Sequence, residues 1–134
     1  MNKYSYKGQI ITASSKKEAI TKIISSKQQP KMKRVVAKND KHLKELIEET
    51  IEEYGNNCDL NFIDVSKVKD MSDMFSDSKF NGDISKWNVS NVKNMSEMFE
   101  GSQFNGDISN WNVSKVKNMG GMFSHSKFNR DISK

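Results

Sequence analysis

Large apolar residues recur every 24 positions from Leu60 to Ile132, separated by runs rich in Asn, Ser, Asp and Lys. Within residues 81–104 the inward set is Ile84, Trp87, Val89, Val92, Met95, Met98, Phe99 and Phe104. The stretch Ile84–Val89 alternates at its end, with Trp87 and Val89 on one side and Lys86 and Asn88 on the other, which predicts a short half-buried strand. Asn94–Phe99 predicts a helical turn. Asn94 stands as its N-cap, Glu97 at the capping-box position, and Met95, Met98 and Phe99 at helical spacing. Phe104-Asn105-Gly106-Asp107 supplies the tight turn into the next unit. Each unit therefore reads as strand, helical turn and return loop.

The period is also one of identity. NGDISKWNVSNVKNMSEMFEGSQF (81–104) and NGDISNWNVSKVKNMGGMFSHSKF (105–128) share 17 of 24 residues, and NCDLNFIDVSKVKDMSDMFSDSKF (57–80) shares 12 with the former. A partial copy, NRDISK, opens at Asn129. A single copy is too small to bury its own apolar face, so copies must stack as a solenoid, each covering the next. Stacking places Asn57, Asn81, Asn105 and Asn129 in one column and Phe75, Phe99 and Phe123 in another. The asparagines are expected to satisfy turn backbone.

Upstream, Tyr4, Tyr6 and residues 9–13 flank Lys7-Gly8 as a hairpin. Ser15 and Glu18 open a helix carrying Ala19, Ile20, Ile23 and Ile24. After a polar loop with the chain's only proline, Pro30, residues 34–38 read as a strand. Asp40 is placed to cap a helix over 41–54 that Gly55 ends, with Leu43, Leu46, Ile47, Ile51 and Tyr54 in one stripe. That stripe reads as a cap over the first copy, which repeat arrays need. The fold class expected is α/β: a small ββαβ-like unit (1–38), a capping helix (39–56), and a short α/β solenoid of 24-residue repeats (57–134; copies 57–80, 81–104, 105–128 and the partial 129–134).

Charge divides along the same lines. The chain carries a net +5, yet residues 57–134 balance ten Lys/Arg against ten Asp/Glu. Residues 1–38 hold ten Lys/Arg and one acid, Glu18, so the basic excess is N-terminal. Lys16, Lys17, Lys31, Lys33 and Arg34 form a candidate basic patch for nucleic acid or for the groove of a nucleic-acid-binding protein.

Catalytic chemistry is scarce. The single cysteine, Cys58, allows no disulfide within the chain and sits where later copies have Gly82 and Gly106, so it reads as a packing residue. His42 and His125 have no ligand spacing. One aspartate per copy (Asp59, Asp83, Asp107, Asp131) supplies too few oxygens for calcium and suits turn capping. There is no P-loop, dinucleotide turn or Ser/His/Asp set. No catalytic residue, metal or cofactor is expected. Trp87 and Trp111 share the parity of Val89 and Val113, which assigns them to the core.

FNGDISxWNVSxVxNMxxMF resembles the BspA-like leucine-rich-type repeat of bacterial surface proteins and lipoproteins over roughly 57–134, and the helix leading into it resembles one that often precedes such repeats. The resemblance implies an α/β solenoid with a protein-binding or adhesion-like role and no enzyme. It also implies surface exposure, whereas the N-terminus carries no apolar leader and no segment of transmembrane length, which reads as cytoplasmic.

The expected function is non-enzymatic protein binding by outward positions that vary between copies: Phe62, Lys86 and Asn110 in one column, Asp64, Asn88 and Asn112 in the next. The alternative is a small basic inhibitor or accessory protein, resembling phage-encoded nuclease inhibitors, acting through residues 1–38. Another protein is the expected partner. The unpaired last strand, with Ile132 and Phe128 beneath it, further predicts self-association, most simply as a two-fold homodimer.

Overall fold

The computed structural model describes residues 2–6, 9–13 and 29–130. Its content is mixed α and β: among the described residues there are two two-stranded sheets and one helix. Strands β1 (Asn2–Tyr6) and β2 (Gln9–Ala13) form the expected antiparallel hairpin, with Tyr4 opposite Ile11. The predicted helix from Ser15 and the candidate residues Lys16 and Lys17 lie outside the described residues, as does Ile132.

Strand β3 (Val35–Val36) forms within the expected 34–38, but it does not join the hairpin in a ββαβ sheet. It pairs in parallel with β4 (Ile63–Asp64) of the first copy. Val35 N donates to Phe62 O at 3.1 Å and Ala37 N to Asp64 O at 2.9 Å, so this strand is an edge of the repeat region. Helix α1 (Asp40–Tyr54) follows. Its cap is Asn39 rather than Asp40: the Asn39 side chain accepts from His42 N at 2.8 Å, leaving Asp40 as a first-turn acid. Gly55 closes the helix as expected, at φ 90°, its N–H reaching Ile51 O at 2.7 Å. Leu43 and Ile47 are buried in the same core as Met71 and Phe75.

The first copy keeps a short strand, β4, where the strand is predicted; the second and third have no strand there, and no copy has the predicted helical turn among the described residues. Each is a succession of reverse turns. In the second copy these run Ile84–Trp87, Val89–Val92, Met95–Met98, Glu97–Glu100 and Phe99–Ser102, each closed by an N–H bonded to the carbonyl three residues back. The third residue of the Met-x-x-Met turn takes a positive φ, 59° at Asp73, 55° at Glu97 and 64° at Gly121, which a helix cannot accommodate. Asn94 caps no helix; its side chain accepts from Ser96 N two residues on. The parity of the outer positions holds: Trp87 and Val89 are buried, Lys86 and Asn88 exposed.

Backbone bonds connect the copies at offsets close to the period. Met71, Asp73, Phe75 and Asp77 N–H donate to Asn94, Ser96, Met98 and Glu100 O at 2.8, 3.1, 2.8 and 2.7 Å. Parallel bridges join Asp59 to Asp83, Asp70 to Asn94, and Asn94 to Asn118. Rings of the same column lie face to face, Phe75 to Phe99 at 5.5 Å and Phe99 to Phe123 at 5.6 Å between centroids. Trp87 is a core residue and Trp111 is half-buried against the same core, both with satisfied indoles: Trp87 Nε1 donates to Leu60 O at 2.8 Å and Trp111 Nε1 to Ile84 O at 3.1 Å. Gly82 is required by close approach, since a Cβ there would collide with the Cys58 carbonyl and come within 2.7 Å of the Phe80 ring. Among the described residues no helix is long and apolar enough to cross a membrane.

Candidate binding site

Two polar columns along the copies are built into the turns. Asp59, Asp83 and Asp107 each accept from the N–H two residues on, at 2.8, 2.9 and 2.9 Å, as Asx turns do. The asparagine column links copies directly: Asn81 Oδ1 accepts from Asn105 N at 2.8 Å, and Asn105 Oδ1 from Asn129 N at 2.9 Å. The candidate column Asp64, Asn88 and Asn112 behaves in the same way, accepting from Ser66, Ser90 and Ser114 N at 2.9, 3.1 and 3.0 Å. Asp64 also pairs with Arg34 at 3.4 Å. Hydrogen bonds from Ser66, with Arg34 adding its charge, lower the Asp64 carboxyl below its ordinary value. These three side chains are thus engaged with backbone, while Lys86 and Asn110 in the neighbouring column are exposed and Phe62 is half-buried.

At Phe62 a cleft forms between the repeat copies and the preceding segment. Gln29 straps that segment down with a two-point amide contact: its Nε2 donates to Asp59 O and its Oε1 accepts from Asp59 N, both at 2.6 Å. Between strap and copy lies a cleft of about 420 Å³ lined by Gln29, Pro30, Lys31, Met32, Asp59, Asn61, Phe62 and Lys86. Its polar wall is largely committed. Asn61 Oδ1 accepts from Lys86 N at 2.9 Å, and Asp59 Oδ1 from Asn61 N. Burial raises the Asp83 carboxyl beneath this wall, but hydrogen bonds from Ser85 and Asn61 and the Lys86 charge outweigh it, and the net shift is downward. What remains is the exposed ammonium groups of Lys31 and Lys86 and the half-buried faces of Phe62 and Met32. A second cleft of about 200 Å³, lined by Met32, Val35, Leu46, Glu49, Thr50, Glu53, Tyr54 and Phe62, lies on the side of Phe62 toward α1.

The structure therefore brings Lys31 of the basic patch together with Phe62 and Lys86 of the outer column. It leaves Asn110 apart from that cleft, and Arg34 tied to Asp64. Sequence reasoning missed Gln29, Met32 and Asn61, since a polar loop and a turn position carry no pattern that foretells a strap.

Reactive chemistry is muted elsewhere. Burial pushes the Cys58 thiol up to about 11, which leaves it protonated at neutral pH. Among the described residues no three His, Cys, Asp or Glu side chains converge as metal ligands would. Glu97 is raised by the like charges of Glu100 and Asp73.

A family profile described as "Mycoplasma protein of unknown function, DUF285" matches residues 31–134. The match begins two residues after Gln29 and takes in β3, the strand bonded to the first copy. No curated protein and no solved structure matches the chain.

Proposed function

Since the chain belongs to the DUF285 family, which brings no assigned activity with it, we propose that it is a non-enzymatic protein-binding module. Its copies stack as a short solenoid of reverse turns behind α1 and β3, and the cleft at Phe62 takes an acidic, partly apolar segment of another protein. The observation that carries this reading is the pairing of two lysines from distant segments, Lys31 and Lys86, around the exposed faces of Phe62 and Met32. Apolar surface flanked by cations is how an aromatic or aliphatic anchor with neighbouring carboxylates is held, and charge at the rim mainly sets the association rate. The resemblance to BspA-like repeats supports the same class.

The test is capture of partners from a host lysate, with and without nuclease treatment, by the intact chain and by Phe62→Ala and Lys31→Glu/Lys86→Glu. A nuclease-resistant partner lost with either variant is the expected outcome, and retention of every partner by both variants rejects the cleft. The exposed Lys31 and Lys33 favour a second reading, phosphate contact by the basic patch. That reading requires binding of duplex DNA that weakens with salt by a slope of about 0.9 per phosphate neutralised.

A further inference from the structure

The face that the third copy turns away from the second is the same surface that the second copy buries. Trp87, Val89, Met95, Met98 and Phe99 recur as Trp111, Val113, Met119, Met122 and Phe123. Met71 and Met95 are 0% exposed, while Met119 is 43% exposed. With it opens a cavity of about 230 Å³ lined by Ile108, Trp111, Val113, Met119, Met122 and Phe123.

The backbone at this face has a polarity. Met95, Glu97, Phe99 and Gly101 N–H donate to Asn118, Gly120, Met122 and Ser124 O at 2.8, 2.9, 2.9 and 2.8 Å. The equivalent N–H groups of Met119, Gly121, Phe123 and His125 have no acceptor among the described residues. The carbonyls of Met119, Gly121 and Phe123 are turned inward, each closing a reverse turn to Met122, Ser124 and Ser126 N at 3.2, 3.1 and 3.1 Å. The edge is therefore a row of donors without a matching row of acceptors, unlike an ordinary strand edge, which offers both.

We infer that this face is a receptor for one further 24-residue coil of the same motif, added with its carbonyl row against these four N–H groups. What the second copy takes is the third, and the third presents the same apolar residues and the same donor row. A two-fold pair of this face would set donor against donor and form no bond along the row. By the 24-residue period, the chain's own equivalent carbonyls fall at Asp70, Ser72, Met74 and Ser76 of the first copy. That copy's core is already closed by Leu43 and Ile47 of α1. The occupant is therefore a coil that carries no such helical cap.

The test uses the full chain with a probe polypeptide of two tandem copies, of sequence 81–128, and follows amide exchange at Met119, Gly121, Phe123 and His125. A chain lengthened by the sequence of residues 111–128, which completes a fourth copy, gives the same readout without depending on the probe folding alone. The expected result is a monomer by light scattering whose four amides slow by about tenfold or more in one or both arms. Met119→Asp removes that protection while leaving amides of the second copy slow. Unprotected amides in both arms overturn the inference. So does a dimer of the unmodified chain in which the four amides are already protected.

Discussion

The second and third copies share 17 of 24 residues, yet one is core and the other is half surface. Val89, Met95 and Phe99 are buried, while Val113 and Phe123 are half-buried and Met119 is exposed. Residue identity cannot account for this, since these residues are the same. The difference lies in what each copy has on its far side: the second has the third, and the third has only the end of the chain's described part. The first copy, though least like the others in sequence, is as well buried as the second because α1 and the residue after β3 contribute Leu43, Ile47 and Ala37 to its core. Environment here is a property of the neighbour.

The largest expected effect tests that comparison at one column. Val89→Asp places a charge in a closed core and is expected to cost roughly 4 kcal/mol or more. Val113→Asp, at the half-open end, is expected to cost about half as much. Asn88→Asp keeps the acceptor for Ser90 N and should change stability by less than ~0.5 kcal/mol. Chemical denaturation of the three variants decides the matter, and equal losses at Val89 and Val113 would break the contrast.

A smaller effect is expected from exchanging the two copies at their left-handed turn position. Gly121→Glu puts a side chain at φ 64°, its Cβ 3.3 Å from Glu97 Cγ, and should cost about 1 kcal/mol. Glu97→Gly relieves the same backbone restriction and removes the repulsion by Glu100 and Asp73, so the midpoint should rise. A fall in both variants would show that the side chain at 97 has an attractive role.

The smallest expected effect is in acid. Asp64 and Asp83 lie below their ordinary value of 3.8 in the folded chain, so their contribution is complete above that pH and is lost as pH falls through the folded values. Glu97 is raised above 4.5, so its contribution has the opposite sign, present below that pH and lost as pH rises through the folded value. Urea midpoints measured against pH should flatten at the acid limb in Asp83→Asn. In Glu97→Gln the fall between acid and neutral pH should shrink.

Much of this organisation was legible in the sequence. The period, the inward set, the hairpin at 2–13, the cap at Gly55 and the core assignment of Trp87 all follow from spacing. The local conformation was not, because Met-x-x-Met-Phe satisfies helical spacing and a chain of reverse turns equally well. The discriminating signal was glycine. Gly121 stands where the second copy has Glu97, and Gly101 where the others have Asp77 and His125. Glycine at such columns points to positive φ. The cap was misplaced by one residue because Asn39 and Asp40 are both good caps and only geometry chooses between them. The cleft was half visible: Phe62 and Lys86 stood out as column variants and Lys31 as a basic residue. Nothing linked them until Gln29 was seen holding the backbone of Asp59.

The ring columns carry a consequence for how such a chain can change over time. Phe99 lies between Phe75 and Phe123 at nearly equal distances, 5.5 and 5.6 Å, with interplanar angles of 3° and 1°. A ring altered in one copy alone meets two unaltered partners and fits neither. The same alteration made in every copy restores like against like. Inheritance at these positions is therefore collective, favouring duplication of a whole unit over piecemeal divergence. The outward positions 62, 86 and 110, which stack no ring, stay free to differ, and there the copies hold Phe, Lys and Asn.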